Sequence, residues 1–378
     1  MTRSTPALRQ RETGASWFRA TYRVQAPASA IAARAQAIAL EQSVELPLEA
    51  VTDVRVLREV VARVDDIAVA GPDAFDVTLQ LAVETVGGEA GQLLNMLFGN
   101  VSLQQDVALV DVDFPPAMAA HFGGPRFGIE GLREMTGVRG RALTCSALKP
   151  QGLAATQLAQ LAGVLASAGI DVIKDDHGLA DQTAAPFAER VCAVQHAIDQ
   201  ANRDTGGRCV YAPSLGGHYA RMREQVAVAR ECGVAMLMLA PMVCGVAALS
   251  ALAGEARMPI LAHPALAGVT RMHPPVLLGK LFRLLGADAT IFPNHGGRFG
   301  SAPSQCIDIA TAARQPWCGL APVLPVAAGG MTVERVPEMC GRFGVDVMLL
   351  IGGSLLLARD GLGARSRAFV EAVAANSR

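Results

Sequence analysis

The 378-residue chain predicts an α/β protein: a C-terminal (β/α)8 barrel preceded by a smaller N-terminal α+β, ferredoxin-like domain. Three observations carry this. Over roughly 250 residues, eight short apolar runs end in polar or small residues and lead into Ala/Leu-rich helical stretches, which is the count and length of a barrel. Upstream, strands and helices mix without strict alternation. The composition, 51% hydrophobic and 18% charged with a mean hydropathy of +0.31, supports a large core and excludes a disordered chain.

In chain order, residues 1–16 read as a flexible tail. Arg3, Arg9 and Arg11 without an apolar stretch exclude a secretory signal. Residues 17–122 make the first domain. Phe18–Val24 alternates as a strand, Ile31–Ser43 is helical, Val54–Val64 and Asp73–Val83 read as strands around Gly71-Pro72, Gly88–Phe98 is helical and Ala108–Phe114 is a strand. Pro115-Pro116 and Gly123-Gly124-Pro125 punctuate the exit. Residues 123–378 hold the barrel, with strands at Leu143–Ala147, Asp171–Ile173, Cys209–Ala212, Ala235–Leu239, Pro259–Ala262, Ala289–Phe292, Leu324–Ala327 and Asp346–Leu350. An open doubly wound sheet is the alternative. No G-x-G-x-x-G follows the first of these strands and no G-x-x-x-x-G-K-[ST] occurs, so nucleotide-binding folds lose support.

Lys plus Arg is 33 and Asp plus Glu 34, a net charge of -1, which excludes a nucleic-acid or anionic-membrane binder working by bulk charge. Val234–Gly254 is uncharged and near the ~20 residues that span a bilayer, but Pro241 and Gly245 break it into strand, loop and helix. No membrane partner is expected. The 8 cysteines form no C-x-x-C pair and read as scattered, mostly buried thiols of a cytoplasmic protein rather than a disulfide framework.

Catalytic groups of a barrel sit at the C-terminal ends of its strands. The first strand leads into Lys149-Pro150-Gln151, the second ends in Lys174-Asp175-Asp176-His177, and the fifth in His263-Pro264. The sixth leads to Asn294-His295-Gly296-Gly297-Arg298-Phe299, the seventh to Gly329-Gly330 and the eighth to Gly352-Gly353. Gly-Gly pairs after strands 7 and 8 suit a phosphate held by backbone N–H groups, although each pair alone also makes an ordinary turn. Lys174 and Asp176 alternate onto one face of a strand end with Asp175 opposite. With His177 they suit a divalent metal. Read bare, the run is equally an ion-paired Lys–Asp with a solvated His. Lys149 is a candidate general acid/base or a surface lysine, and His263 a satisfied core histidine or a site residue.

As a set, these strand ends resemble the large subunit of ribulose-bisphosphate carboxylase over essentially residues 17–375. The matching segments are Glu41-Gln42-Ser43, Phe98-Gly99-Asn100, Leu148-Lys149-Pro150, Gly169-Ile170-Asp171 running into Lys174-Asp175-Asp176, Ala262-His263-Pro264, Leu324 through Gly330, and Gly352-Gly353. The resemblance implies a carbamate formed by CO2 on Lys174 and Mg2+ held beside Asp176 and His177. It further implies a proton shuttle at Lys149, an assisting His263, a phosphate on Gly329, Gly330, Gly352 and Gly353, and a homodimer in which Glu41 and Asn100 reach the partner's site. Higher oligomers are compatible with it.

The departures shape the function. The family's Lys-Pro-Lys is Lys149-Pro150-Gln151, the arginine after the strand 5 histidine is Pro264, a strand 6 histidine is Ile291, the serine before the strand 7 glycines is Ala328, and the lysine of mobile loop 6 is Arg298. The groups missing at Pro264 and Ile291 are donors to a second phosphate, so a monophosphate is expected and CO2 fixation is not. These losses resemble the non-carboxylating, form IV RuBisCO-like proteins. His177 stands where the family has Glu, and imidazole admits divalent metals softer than Mg2+. The expected enzyme is a metal-dependent lyase or isomerase holding an enolate of a phosphorylated keto-sugar or keto-sugar acid. Lys149 carries the proton, His263 assists and Arg298 stabilises charge from a lid. The sequence leans to a 3-oxo-isoapionate-4-phosphate-type decarboxylase. The alternatives are 2,3-diketo-5-methylthiopentyl-1-phosphate enolase, methylthioribulose-1-phosphate isomerase, and a decayed binding or regulatory protein.

Overall fold

The computed structural model describes residues 16–376; nearly all of the tail expected at 1–16 lies outside them. Near the N-terminus, β1 (Trp17–Gln25), β2 (Arg63–Gly71), β3 (Ala74–Ala82) and β4 (Val107–Asp113) form an antiparallel sheet in the order β2-β3-β1-β4. β1 pairs with β3 from Trp17 opposite Ala82 to Gln25 opposite Ala74. Phe18, Ala20, Tyr22 and Val24 alternate inward and are buried, as period 2 requires of a half-buried strand. The helices Ile31–Glu41 and Ala90–Phe98 cover that face with Ala35, Ile38, Leu93 and Leu97.

One expected strand is corrected. Val54–Glu59 is a helix, and the strand begins only at Arg63. The Asp53 carboxylate accepts the backbone N–H groups of Arg55 and Val56 at 2.8 and 3.0 Å. This N-cap offsets the preference of the valines for extended backbone.

The remaining strands are parallel: β5 (Leu143–Leu148), β6 (Val172–Asp175), β7 (Val210–Ala212), β8 (Leu237–Leu239), β9 (Ile260–Ala262), β10 (Ala289–Pro293), β11 (Leu324–Ala328) and β12 (Met348–Leu350). They run in the order β7-β6-β5-β12-β11-β10-β9-β8. A Ser214–Met238 bridge joins the two ends of that order and closes the ring. Each strand stands within about two residues of its expected position. The interior is filled by Cys145, Val172, Met236, Met238, Leu261, Ile291, Val326 and Met348, a packed core rather than a pore. The apolar stretch beyond Val234 is β8 followed by helices Pro241–Cys244 and Val246–Glu255. Among the described residues no helix is long and apolar enough to cross a membrane.

The expectation of free thiols fails at one pair. Cys192 and Cys232 are joined as a disulfide with Cα atoms 5.0 Å apart. Cys192 lies in the helix Phe187–Thr205 and Cys232 caps the next, Tyr219–Glu231. Packing of neighbouring barrel helices brings together residues that spacing along the chain does not pair. Cys145, Cys209, Cys244, Cys306 and Cys318 are free thiols.

Candidate functional site

The C-terminal ends of the barrel strands open on a cavity of about 400 Å³, lined among others by Lys149, Lys174, Asp176, His177, His263, Arg298 and Gly329. Seven residues singled out from different strand ends therefore face one space. β6 builds its centre. Because successive side chains point to opposite faces, Lys174 and Asp176 enter the cavity while Asp175 turns outward. There Asp175 accepts the Tyr211 hydroxyl at 2.7 Å, the Ser214 N–H at 3.0 Å and the Arg190 Nε at 3.2 Å. Asp175 and Arg190 have fully buried side chains. This rear anchor holds the strand end in place.

One lysine pairs with the Asp176 carboxylate and a second stands near it. Lys149 Nζ lies 2.5 Å from Asp176 Oδ1. Burial alone would raise the Asp176 carboxyl. The Lys149 ammonium, helped by Lys174 and His177, outweighs it and holds Asp176 below its usual range. Lys174 is buried, its Nζ donates to the Asp175 carbonyl at 2.8 Å, and burial pushes its pKa down. An amine pushed toward neutrality beside a carboxylate is the form that adds CO2, giving a carbamate and a proton.

The two histidines stack. The His177 and His263 rings are 4.5 Å apart and 8° from parallel, and His177 Nδ1 lies 3.3 Å from Asp176 Oδ1. The Ala265 N–H donates to His263 Nδ1 at 3.1 Å, so the neutral ring carries its proton on Nε2. Burial, with Lys174 and His177 adding to it, pushes the His263 pKa down to about 2.

The Gly329-Gly330 pair interlocks with the loop after β10. Gly329 and Gly330 have φ of +85° and +81°, a region L-residues rarely adopt. A Cβ on Gly330 would stand 2.6 Å from the Gly297 Cα, and one on Gly329 2.8 Å from the Phe299 ring. Phe299 thus covers Gly329, with the Arg298 guanidinium 4.9 Å from its ring centre. Arg335 donates to the His295 carbonyl at 2.8 Å and Glu338 sits 2.6 Å from His295 Nε2, which fastens the base of this loop. Gly352 lies against Lys149, whose Cε would be 3.8 Å from an added Cβ. Gly330, Gly352 and Gly353 stand behind the cavity lining rather than in it.

Glu41 and Asn100 are not brought to this cavity. Asn100 Nδ2 donates to Glu41 and Glu45 at 3.0 Å each, in the first domain. Among the described residues no three His, Cys, Asp or Glu side chains form a ready metal site. A divalent ion fits only if Lys174 contributes a carbamate oxygen beside the Asp176 carboxylate and the His177 ring. Two oxygens and one imidazole are an acceptable donor set for Mg2+ and a better one for a softer divalent ion.

Strand-end reasoning missed Ala265 and Leu266, which join Phe299 and Leu350 in an apolar wall of the cavity. No motif marks these two residues, and only the fold of the loop after β9 shows them. It also missed Arg190 and Tyr211, whose partner Asp175 is 15 and 36 residues away.

The chain matches the family model for the ribulose bisphosphate carboxylase large chain, catalytic domain, over residues 128–299. It is 54% identical over 359 residues, 94% of this chain and 96% of the relative, to the 5-methylthioribulose-1-phosphate isomerase of Rhodospirillum rubrum. A 2,3-diketo-5-methylthiopentyl-1-phosphate enolase of Geobacillus kaustophilus is 34% identical over 308 residues, 78% of this chain and 74% of the relative. The crystal structure of a Rubisco-like protein from Rhodopseudomonas palustris superposes with a TM-score of 0.90 at 46% identity, covering 96% of this chain and 99% of that one. With relatives this similar along nearly its whole length, the chain belongs to the ribulose-bisphosphate carboxylase large-chain family, among its RuBisCO-like members.

Proposed function

We propose that this chain is a metal-dependent isomerase of 5-methylthioribulose 1-phosphate or a closely similar ketose phosphate. The observation that carries the reading is 54% identity across 94% of the chain to a relative of that activity. The cavity is consistent with it. Pro264 and Ile291 line it where a bisphosphate would need cations. The lean toward a decarboxylase finds no support among the relatives, and the isomerase alternative takes its place. The more distant enolase is the weaker reading.

An isomerase that moves a carbonyl between neighbouring carbons must take a proton from one carbon and return it to the next, with no atom gained or lost. Lys149, held by Asp176 beside Gly352, is the proton carrier. His263, neutral with Nε2–H free to donate, hydrogen-bonds a substrate oxygen. Arg298 and Phe299 shut the mouth against water, and the phosphate is held at the Gly329 end of the cavity by backbone N–H groups, with Gly330, Gly352 and Gly353 contributing from behind its lining. A divalent cation on carbamylated Lys174, Asp176 and His177 would supply Lewis-acid stabilisation of the enediolate charge. The assembly is read as a cytoplasmic homodimer with Glu41 and Asn100 completing the partner's site.

The test is incubation with 5-methylthioribulose 1-phosphate and Mg2+ in D2O, followed by 31P and 1H NMR. An isomeric phosphate with deuterium at a former carbon-bound position is the expected product, and Lys174→Met should abolish its formation while leaving the fold intact. Unchanged substrate, or CO2 release from a 3-oxo sugar-acid phosphate instead, overturns the reading.

A further inference from the structure

A second, smaller cavity of about 140 Å³ adjoins the site and shares Pro264, Gly268 and Pro293 with it. Its remaining wall is mainly apolar: Ala267 after β9, Pro274, Leu277 and Leu278 at the start of the following helix, and Ile309 of the helix Pro303–Arg314. Ser301 and Gln305 are its polar members. Leu277, Leu278 and Ile309 are buried, so packing fixes this wall. At ~30 Å³ per water in the liquid, the space takes a substituent of two to a few heavy atoms.

Its position in the ring gives it meaning. It opens between the ends of β9 and β10. The Gly329-Gly330 and Gly352-Gly353 pairs follow β11 and β12, next to them in the strand order, and Lys174 and Asp176 face in from β6 on the opposite side. A chain with its phosphate on the glycines and its carbonyl at the Lys174–Asp176 face therefore points its far end at this side cavity. Among the cavity-wall residues on that side, Pro264, Ala267, Leu277 and Ile309 offer no charged group to a second phosphate.

We infer that this side cavity is the specificity pocket for the unphosphorylated end of the substrate and takes a small apolar thioether, CH3–S–, rather than a hydroxyl or a phosphate. The assignment rests on the isomerase reading and deepens it: Ala267 and Leu277 select the substituent and leave the proton transfer to other residues. A thioether there gains dispersion contacts, whereas a hydroxyl loses water with few partners. A change of this size in an apolar pocket is worth about 10–200-fold in kcat/KM.

The experiment compares kcat/KM for 5-methylthioribulose 1-phosphate, its 5-propylthio homologue and ribulose 1-phosphate in wild type, Ala267→Leu and Leu277→Ala. Wild type should prefer the methylthio compound over ribulose 1-phosphate by about tenfold or more. Ala267→Leu, which fills the pocket, should lower kcat/KM for the methylthio compound more than for ribulose 1-phosphate and so collapse that preference. Leu277→Ala, which enlarges it, should raise the propylthio homologue relative to methylthio. Ratios that neither variant moves overturn the pocket assignment alone. Failure of wild type to turn over any of the three sinks the isomerase reading and the assignment with it.

Discussion

Lys149 Nζ meets the Asp176 carboxylate at 2.5 Å, and the buried Lys174 amine, pushed toward neutrality, faces the same cavity. Addition of CO2 to that neutral amine would place a second anion there and release a proton. This leaves Lys149 as the cation positioned to exchange protons with substrate. Lys149→Met should lower kcat by about 10²–10⁴ and abolish deuterium incorporation from solvent, with KM moving much less. Equal loss of the two readouts' wild-type values in a Lys149→Arg variant would agree, since arginine does not give up its proton. His263 carries a second prediction. Its pKa lies near 2 against an ordinary 6.5, so in metal-free protein its ring should show no NMR titration between about pH 5 and 8. The sign for stability follows. The unfolded chain takes up a proton below 6.5 and the folded one does not, so stability from this residue is complete above that pH and falls as pH drops toward 2. His263→Gln should flatten the acid limb of a stability–pH curve; an unchanged limb would count against a buried neutral ring.

At the scale of elements, the end of β6 depends on what lies behind it. Arg190 neutralises Asp175 where both side chains are fully buried. Arg190→Met should therefore leave an uncompensated buried charge and cost about 3–5 kcal/mol, read as a lower urea midpoint at unchanged slope. Tyr211→Phe, which removes one of three hydrogen bonds to that carboxylate, should cost about 1–3 kcal/mol. The front of this strand was legible in the sequence because a period of two puts Lys174 and Asp176 on one face whatever the tertiary fold. The back was not, since Arg190 and Tyr211 reach Asp175 only after a helix and a further strand have packed. The same division holds elsewhere. The barrel strands were readable as apolar runs, whereas Val54–Glu59 looks extended by composition and turns helical because Asp53 caps it. The pairing of Cys192 with Cys232, and the apolar cavity wall from two loops, arise from packing that no local pattern records.

The whole molecule poses the question of Glu41 and Asn100. Asn100 donates to Glu41 and to Glu45 on the first domain, yet neither Glu41 nor Asn100 lines the cavity of its own chain. The β4 edge of that domain joins the barrel through a Leu109–Met272 bridge, which places the sheet beside the loop after β9 without bringing this polar pair to the strand ends. A cluster of carboxylates and an amide that serves its own site would be expected to face that site; one held apart from it is suited to a second copy, and closed two-fold assembly makes the contribution reciprocal. The consequence is testable by mixing. Lys174→Met removes a group of the barrel and Asn100→Ala a group of the first domain, so each homodimer should be inactive or nearly so. Co-refolded in equal amounts, about half the dimers are mixed. In each of those, one site carries both defects while the other joins an intact barrel to an intact Asn100. Activity should return to about a quarter of wild type. A site complete within one chain predicts no recovery on mixing at all, because every barrel or its own Asn100 would be defective. The magnitude of the return, measured against protein concentration, separates a shared site from a self-contained one.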